Sequence, residues 1–139
     1  MKREQKYPET NTFHYYNANP KNKITGDCVI RAICTAMEIP YETVYKELLE
    51  MSIKTGYMIN DKKCYHKYIE SKGWKKYNQP RKFDNTKYTG KEFCERSIGP
   101  GKRIIAHIGG HHVVSIIDGK VWDIWNSTDG CIGNYWVKE

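Results

Sequence analysis

The last third of the sequence carries the pattern that most limits how the chain can fold. Residues 103–137 contain four short segments rich in β-branched and aromatic residues, which are RIIAHI, HVVSIID, KVWDIW and CIGNYWV. They are separated by the pairs GG, DG and the DG of STDG, which are typical of tight turns. The pattern therefore predicts a C-terminal antiparallel β-sheet.

Apolar residues at helical spacing precede the predicted sheet in the sequence. Between Asp27 and Pro40 the apolar residues recur at the intervals that place them on one face of a helix. Pro40 interrupts this pattern because its ring disrupts a helix interior. A first helix is therefore predicted over about 27–38.

Further helices are predicted between the first helix and the sheet. Pro40 suits the opening turn of a second helix, and Thr89 and Glu92 have the spacing of a capping box. The predicted segments are helices over 40–54, from 60 or 61 to 72 and from 89 to 98, with one short strand in the otherwise loop-like 74–88.

The order of helices and strands indicates the fold class. Helices that come before a sheet, without alternating with its strands, indicate an α+β fold. A chain of 139 residues is most simply one domain spanning 1–139, and it can bury roughly two-thirds of the surface that it exposes when unfolded. Residues 1–22 are polar and rich in tyrosine, which predicts a loop-rich N-terminal arm.

Apolar runs and cysteine spacing predict the compartment. No run approaches the ~18 apolar residues of a membrane span, and MKREQKYPETNTF lacks the apolar centre of a signal peptide. The five cysteines are odd in number and form no CxxC pair, which indicates reduced thiols rather than a disulfide framework. We therefore expect a cytoplasmic protein that contacts no membrane.

The net charge of +7 leaves two interpretations open. Lysine-rich runs such as PKNK, NDKK and GWKKYNQPRK are consistent with an ordinary solvated surface. The same runs would also suit nucleic acid or another acidic partner. No helix-turn-helix or zinc-finger signature favours nucleic acid.

Cys28 follows a Gly-Asp pair at the start of the first predicted helix. A thiol in a first helical turn lies where free backbone N–H groups and the helix dipole favour an anion, and the thiolate is the nucleophilic form of cysteine. Packing in the core is the alternative for Cys28, and it is the interpretation for the other four cysteines. We interpret Cys28 as a nucleophile and Asp27 as a residue that favours the helix terminus.

A nucleophilic cysteine needs an imidazole partner, and GGHHVV offers two. Strand alternation turns only one of them toward the helix, and we favour His112 because Val114 and Ile116 would share its face and pack on the first helix. His111 is the alternative. Asp123 on the next strand would orient the imidazole, with Asn126 as the alternative.

These motifs resemble those of the papain-like cysteine peptidase superfamily, most nearly its small bacterial and phage members and the bacteriocin-leader peptidases. The matching segments are GDCVIRAI around Cys28, HVVSIIDG from His112 and VWDIWN around Asp123. The resemblance implies N-terminal helices packed on an antiparallel sheet, with the nucleophile at the start of the central helix. It also implies attack on an acyl carbon through a thioester.

The same resemblance implies an oxyanion-binding residue. Members of the superfamily usually carry a glutamine six residues before the nucleophile, and its side-chain N–H helps to bind the developing oxyanion. This chain has Asn22 there, so the resemblance assigns the role to Asn22, with Asn19 and Lys23 as neighbouring alternatives. Val29 stands where papain itself has a tryptophan after the nucleophile.

The sequence thus predicts a cysteine hydrolase, specifically a peptidase with a Cys28–His112–Asp123 triad that acts on a peptide or protein. Deamidation or acyl transfer on the same fold, and a non-catalytic module that binds nucleic acid or protein, are the alternatives. No cofactor or metal is predicted, because the spacing of His107, His111 and His112 does not suit zinc. If a phage encodes the chain, the expected compartment is the cytoplasm of the host cell.

Overall fold

The periodic segments of the sequence form a layer of helices and a sheet. The computed structural model describes residues 1–138. Its helices are α1 (Arg3–Lys6), α2 (Cys28–Met37), α3 (Tyr41–Thr55), α4 (Lys62–Ser71) and α5 (Gly90–Glu95). Its strands are β1 (Phe13–Tyr15), β2 (Trp74–Tyr77), β3 (Arg103–Ile108), β4 (His112–Ile117), β5 (Lys120–Asp123) and β6 (Ile132–Lys138).

Local capping explains where the helices begin. The Asp61 carboxylate accepts the backbone N–H of Lys63 at 2.8 Å, and Thr89 and Glu92 form the predicted capping box at the start of α5. The predicted bounds of α2, α3 and α4 hold to within one or two residues. Helix α5 ends at Glu95 rather than 98, because the chain turns into the left-handed region at Ser97, where φ is +50°.

The sheet has the strand order β1-β5-β4-β3-β6-β2 and is mixed. The C-terminal strands β3 to β6 pair antiparallel as predicted, but the sheet as a whole is mixed, because β1 pairs with β5 in parallel, with Phe13 opposite Val121. Three residues are too few to produce a periodic signal in the sequence. The N-terminal arm is therefore not only loop: Phe13 is fully buried, and β1 forms the edge of the sheet beside β5, the strand that carries Asp123.

Each face of the sheet buries its own apolar cluster. Helices α2, α3 and α4 pack on one face around Ile105, Val113 and Trp136. Phe93 and Cys94 of α5 pack on the other face against Ile104, Ala106 and their neighbours in β4 and β6. Successive residues of a strand point to opposite faces, so a single strand such as β3 serves both clusters.

Val114 and Ile116 do not pack on α2 as predicted. They lie in the cluster with Phe93 on the opposite face of the sheet, and Val113 is the residue of β4 that joins the α2 cluster. The pattern of β4 is apolar on both faces, so alternation alone did not identify the face that meets the helix.

None of the helices within residues 1–138 has both the length and the apolarity that crossing a membrane requires. All five cysteines, which fall in this range, are free thiols.

Candidate active site

Cys28 is the first residue of α2, and its side chain is partly buried. The chain reaches it through exposed residues 21–26, while Val29 and Ile33 fix the helix in the core. The first N–H groups of a helix have no carbonyl partner within it, and the helix dipole is positive at this end. Cys28 therefore lies where backbone and dipole both favour a thiolate.

His112 and Asp123 lie on neighbouring antiparallel strands. His112 begins β4, Asp123 ends β5, and His112 Nε2 donates a 2.5 Å hydrogen bond to Asp123 Oδ2. Since Nε2 is engaged, Nδ1 is the ring nitrogen that remains for Cys28. The indole of Trp125 packs against the imidazole with the ring centroids 5.1 Å apart, so it covers part of this pair.

The surroundings of Cys28 and His112 favour an ion pair. Burial raises the pKa of the Cys28 thiol, but hydrogen bonds from His112 and the backbone of Val113, together with the charges of His112 and Arg31, hold that pKa below its ordinary value. Burial lowers the pKa of His112, whereas Asp123 and Cys28 raise it to about 9. Each group therefore stabilises the charged form of the other, a thiolate beside an imidazolium.

Asp123 is held from several directions, and this fixes the orientation of His112. Its side chain is buried, with 1% exposed. Arg31 Nη1 and the backbone N–H of Ile124 donate to Oδ1 at 2.9 and 2.8 Å, while the Ser127 hydroxyl is 3.4 Å from Oδ2. These bonds leave Oδ2 facing His112, which selects the tautomer with a proton on Nε2.

Arg31 is a member of the candidate site that was not predicted from the sequence. It is 6% exposed, and its Nε donates a 2.7 Å hydrogen bond to Asp27 Oδ1 while Nη1 binds Asp123. Asp27 in turn accepts hydrogen bonds from Tyr41 and Asn19. A buried chain of alternating charges therefore runs from Asp27 through Arg31 and Asp123 to the Cys28–His112 pair.

One signal in the sequence could have identified Arg31. It is the charged residue within the otherwise apolar start of α2, CVIRAI, three positions after Cys28 and four after Asp27. Residues at these spacings lie on one helix face, so the Arg31 side chain is expected to lie close to both Cys28 and the carboxylate of Asp27. Asp27 is the N-cap residue of α2, but its side chain makes no capping hydrogen bond, because its carboxylate binds Arg31 and Tyr41 instead.

A cluster of aromatic and histidine side chains braces the turn before His112. His66 Nε2 and the Tyr65 hydroxyl lie 3.0 and 3.2 Å from His107 Nε2. His107 also interacts with the backbone of Gly110 in the β3–β4 turn, and the Trp136 indole packs on both histidines. The β3–β4 turn, from which His112 projects, is therefore anchored to α4.

This histidine cluster predicts a loss of stability in mild acid. Burial is the largest cause that lowers the pKa of both His66 and His107 to about 4, against an ordinary value of 6.5. Between these values the unfolded chain binds more protons than the folded one, so stability falls as pH is lowered. We expect roughly 1 kcal/mol per pH unit for each residue, measured by urea unfolding from pH 6.5 to 4.5.

A double variant tests whether the two histidines cause this slope. His66→Gln with His107→Gln removes both titrating groups, so its free energy of unfolding should depend less steeply on pH than that of the wild type. Equal slopes for the two proteins would contradict the assignment. His14→Gln, at a surface histidine that pairs with Glu9, serves as the control.

Asn22 lies in the exposed loop before α2. Its φ is +54°, and its side-chain oxygen accepts a 3.3 Å hydrogen bond from Asn17 Nδ2. Within residues 1–138 no hydrogen bond joins Asn22 to Cys28 or His112. The predicted alternative Asn19 is partly buried and donates a 3.1 Å hydrogen bond to Asp27, so it is the amide tied to the charge network.

The two alternative site residues lie apart from the pair. His111 is exposed at the β3–β4 turn. The side-chain oxygen of Asn126 accepts hydrogen bonds from the backbone and hydroxyl of Thr128, so it stabilises its own turn. In the part of the chain that is described, no three His, Cys, Asp or Glu side chains are grouped to hold a metal ion.

The structure therefore defines an α+β protein in which Cys28, His112 and Asp123 meet where α2, β4 and β5 come together. No family model, curated protein or solved structure is significantly similar to this chain.

Proposed function

We propose that this protein is a cysteine hydrolase of papain-like architecture, most simply a peptidase. The interaction of Cys28 with His112, itself bonded to Asp123, is the observation that supports it. A nucleophile, a base in hydrogen-bonding contact and a third residue that orients the base are the elements of acyl-transfer catalysis by cysteine.

The proposed reaction proceeds through a thioester. The Cys28 thiolate attacks the substrate carbonyl carbon, a C–S bond forms, and the carbonyl oxygen becomes an oxyanion. His112 then gives its proton to the leaving nitrogen as the C–N bond breaks. Water, deprotonated by His112, attacks the thioester, and cleavage of the C–S bond releases the acid and restores Cys28.

The oxyanion needs hydrogen-bond donors close to Cys28. The backbone N–H of Cys28 is one, because a first-turn amide has no partner in its own helix. Asn22 is the second in this proposal, by its resemblance to the glutamine of the superfamily. Its bond to Asn17 would have to open first, and Asn19 is the nearby alternative. Loss of such a donor typically costs on the order of 100-fold to 1000-fold in turnover.

The same thioester serves two related reactions. Attack on a glutamine side chain would release ammonia, and attack of an amine on the thioester would transfer the acyl group. Binding without turnover is a different class of function, and the basic surface keeps it open for peptide or nucleic acid. We propose the cytoplasm as the compartment, since free thiols persist there.

The test is the rate of alkylation of each cysteine by iodoacetamide as a function of pH, measured by peptide mapping. We expect Cys28 to react well below the ordinary thiol pKa of about 8.5. Cys34 and Cys94 are internal controls, because burial raises their pKa to about 11 and about 12. Cys131 is exposed and controls for accessibility.

Two outcomes would separate the proposal from its alternative. Alkylation of Cys28 at pH 6 faster than alkylation of exposed Cys131 would support a reactive thiolate. Alkylation of Cys28 that rises only with the ordinary thiol titration would contradict it, and Cys28 would then be a packed residue at a helix start.

A further inference from the structure

A groove between α3 and α4 has a strongly positive lining. It encloses about 780 Å³. We call it the lysine groove, after the residues that characterise it: Lys54, Tyr57, Lys62, Lys63, His66 and Lys67. All four lysines are exposed, and Glu70 is the acidic residue of the lining. The groove therefore carries an excess of positive charge that faces solvent.

The lysines of the groove differ from several lysines elsewhere. Among residues 1–138, no carboxylate lies within ion-pair distance of Lys54, Lys62, Lys63 or Lys67. By contrast, Lys72, Lys82 and Lys120 pair with Glu47, Glu92 and Glu9. Lys63 instead lies over the Tyr57 ring, 4.9 Å from its centroid. The four charges are therefore available to an acidic ligand.

Contacts connect this groove to the nucleophile. Tyr57, at one end, belongs to the loop between α3 and α4, and Asn60 of that loop donates a 3.4 Å hydrogen bond to the Gly26 carbonyl, two residues before Cys28. From inside the groove, His66 contacts His107, whose bond to Gly110 braces the turn before His112. The loop that carries Tyr57 is therefore in direct contact with the segment that leads into α2.

We infer that the lysine groove binds an acidic segment of a polypeptide whose neighbouring acyl group is presented to Cys28. This inference rests on the proposed function and names its substrate class. A single exposed ion pair contributes little binding energy, but several lysines in one groove together bind an acidic segment and increase its association rate. Tyr57 and Met51 add apolar surface for side chains between the carboxylates.

A polypeptide suits this site better than nucleic acid. The nucleophile beside the groove requires an acyl carbon, which a peptide carries at every residue, whereas a phosphodiester backbone has none.

The experiment measures binding of a fluorescein-labelled ten-residue peptide of alternating glutamate and serine by fluorescence anisotropy. A peptide with glutamine in place of glutamate is the uncharged control, and a ten-nucleotide oligo-dT is the nucleic-acid probe. The protein is the full chain with Cys28→Ser, so that binding is measured without turnover. Two charge variants are compared, and both lower the net charge equally.

The variants separate the groove from general charge. Lys62→Glu, Lys63→Glu and Lys67→Glu together should weaken binding of the acidic peptide by at least about tenfold at low salt. The matched control replaces Lys87, Lys91 and Lys102 by glutamate. These exposed lysines lie outside the groove, so the control should change binding less than about threefold. The triple alanine variant at 62, 63 and 67 tests the same charges without adding acidic ones.

Three outcomes would overturn the inference. These are equal losses for the two triple variants, binding of the glutamine peptide as tight as that of the acidic one, or tighter binding of oligo-dT that depends on the same lysines. The last would assign the groove to nucleic acid.

Failure of the proposed function is observed separately. An unreactive Cys28 in the alkylation experiment would leave a groove that binds acidic peptide without chemistry. A reactive Cys28 together with no groove-dependent binding would reject only the substrate class. When the three groove substitutions are made in the chain that retains Cys28, alkylation of Cys28 by iodoacetamide should stay as in the wild type, because this reagent makes no use of the lysines.

Discussion

His112→Ala should slow the alkylation of Cys28 at pH 6 by about 10- to 100-fold. In the wild type His112 carries a proton at this pH, since Asp123 and Cys28 raise its pKa to about 9 against the effect of burial. Without the imidazolium, burial would raise the pKa of Cys28, and little thiolate would remain. The lower intrinsic nucleophilicity of a low-pKa thiolate limits the difference to this range.

The neighbouring histidine provides the matched control. His111→Ala removes an exposed imidazole from the same turn and should leave the rate within about twofold of the wild type. Asp123→Asn should have an intermediate effect, because an amide can still orient the ring while the charge is lost. Equal alkylation rates for His112→Ala and the wild type would show that the reactivity of Cys28 does not depend on the His112 imidazole. Slow alkylation in His111→Ala would instead identify His111 as the imidazole partner of Cys28.

Arg31→Met should lower the free energy of unfolding at pH 7 by about 3–5 kcal/mol, measured in urea. The substitution leaves Asp27 and Asp123, 5% and 1% exposed, as buried carboxylates without their common cation. Removal of one partner from a buried ion pair costs more than the pair contributes, because the other charge stays desolvated. The same variant should lose the rapid alkylation of Cys28, since Asp123 is no longer held toward His112.

Three comparisons distinguish this effect from ordinary loss of packing. Arg31→Lys keeps one charge but cannot bridge both carboxylates, so its stability should lie between the wild type and Arg31→Met. Adding Asp27→Asn and Asp123→Asn to Arg31→Met should recover part of the loss. Arg81→Met, at an exposed arginine, should change stability by less than about 0.5 kcal/mol. A loss below about 1 kcal/mol for Arg31→Met would show that water or rearrangement compensates the two carboxylates.

The buried charges also explain how α2 contributes both to the apolar core and to the candidate site. Asp27, Cys28 and Arg31 lie in the first turn of α2 or next to it, while Ile33 and Ala36 hold the rest of the helix in the core. The apolar half fixes the position of the helix, and the polar half lies at the end of the sheet where β4 and β5 bring His112 and Asp123.

Local patterns in the sequence determined most of the secondary structure. Apolar spacing predicted α2 and α3, a capping residue at 60 or 61 and a terminating glycine predicted α4, a capping box predicted the start of α5, and β-branched segments between turn pairs predicted β3 to β6. These patterns depend only on residues that are close in the sequence, so they can be recognised without knowledge of the tertiary structure. They also placed a cysteine in a first helical turn and a histidine at the start of a strand, and these became the candidate pair.

The tertiary structure decided what depends on distant segments. It paired the three residues of β1 in parallel with β5, and it placed Val114 on the face opposite the one predicted. It also brought Arg31 to Asp123, 92 positions away. The sequence marks Arg31 as a charge within the apolar start of a helix, but it does not indicate the pairing with Asp123, because that carboxylate is brought to Arg31 by the fold. Position along the chain predicted the candidate nucleophile, the candidate base and the carboxylate that orients it, whereas the bridge from Arg31 to that carboxylate depends on long-range packing.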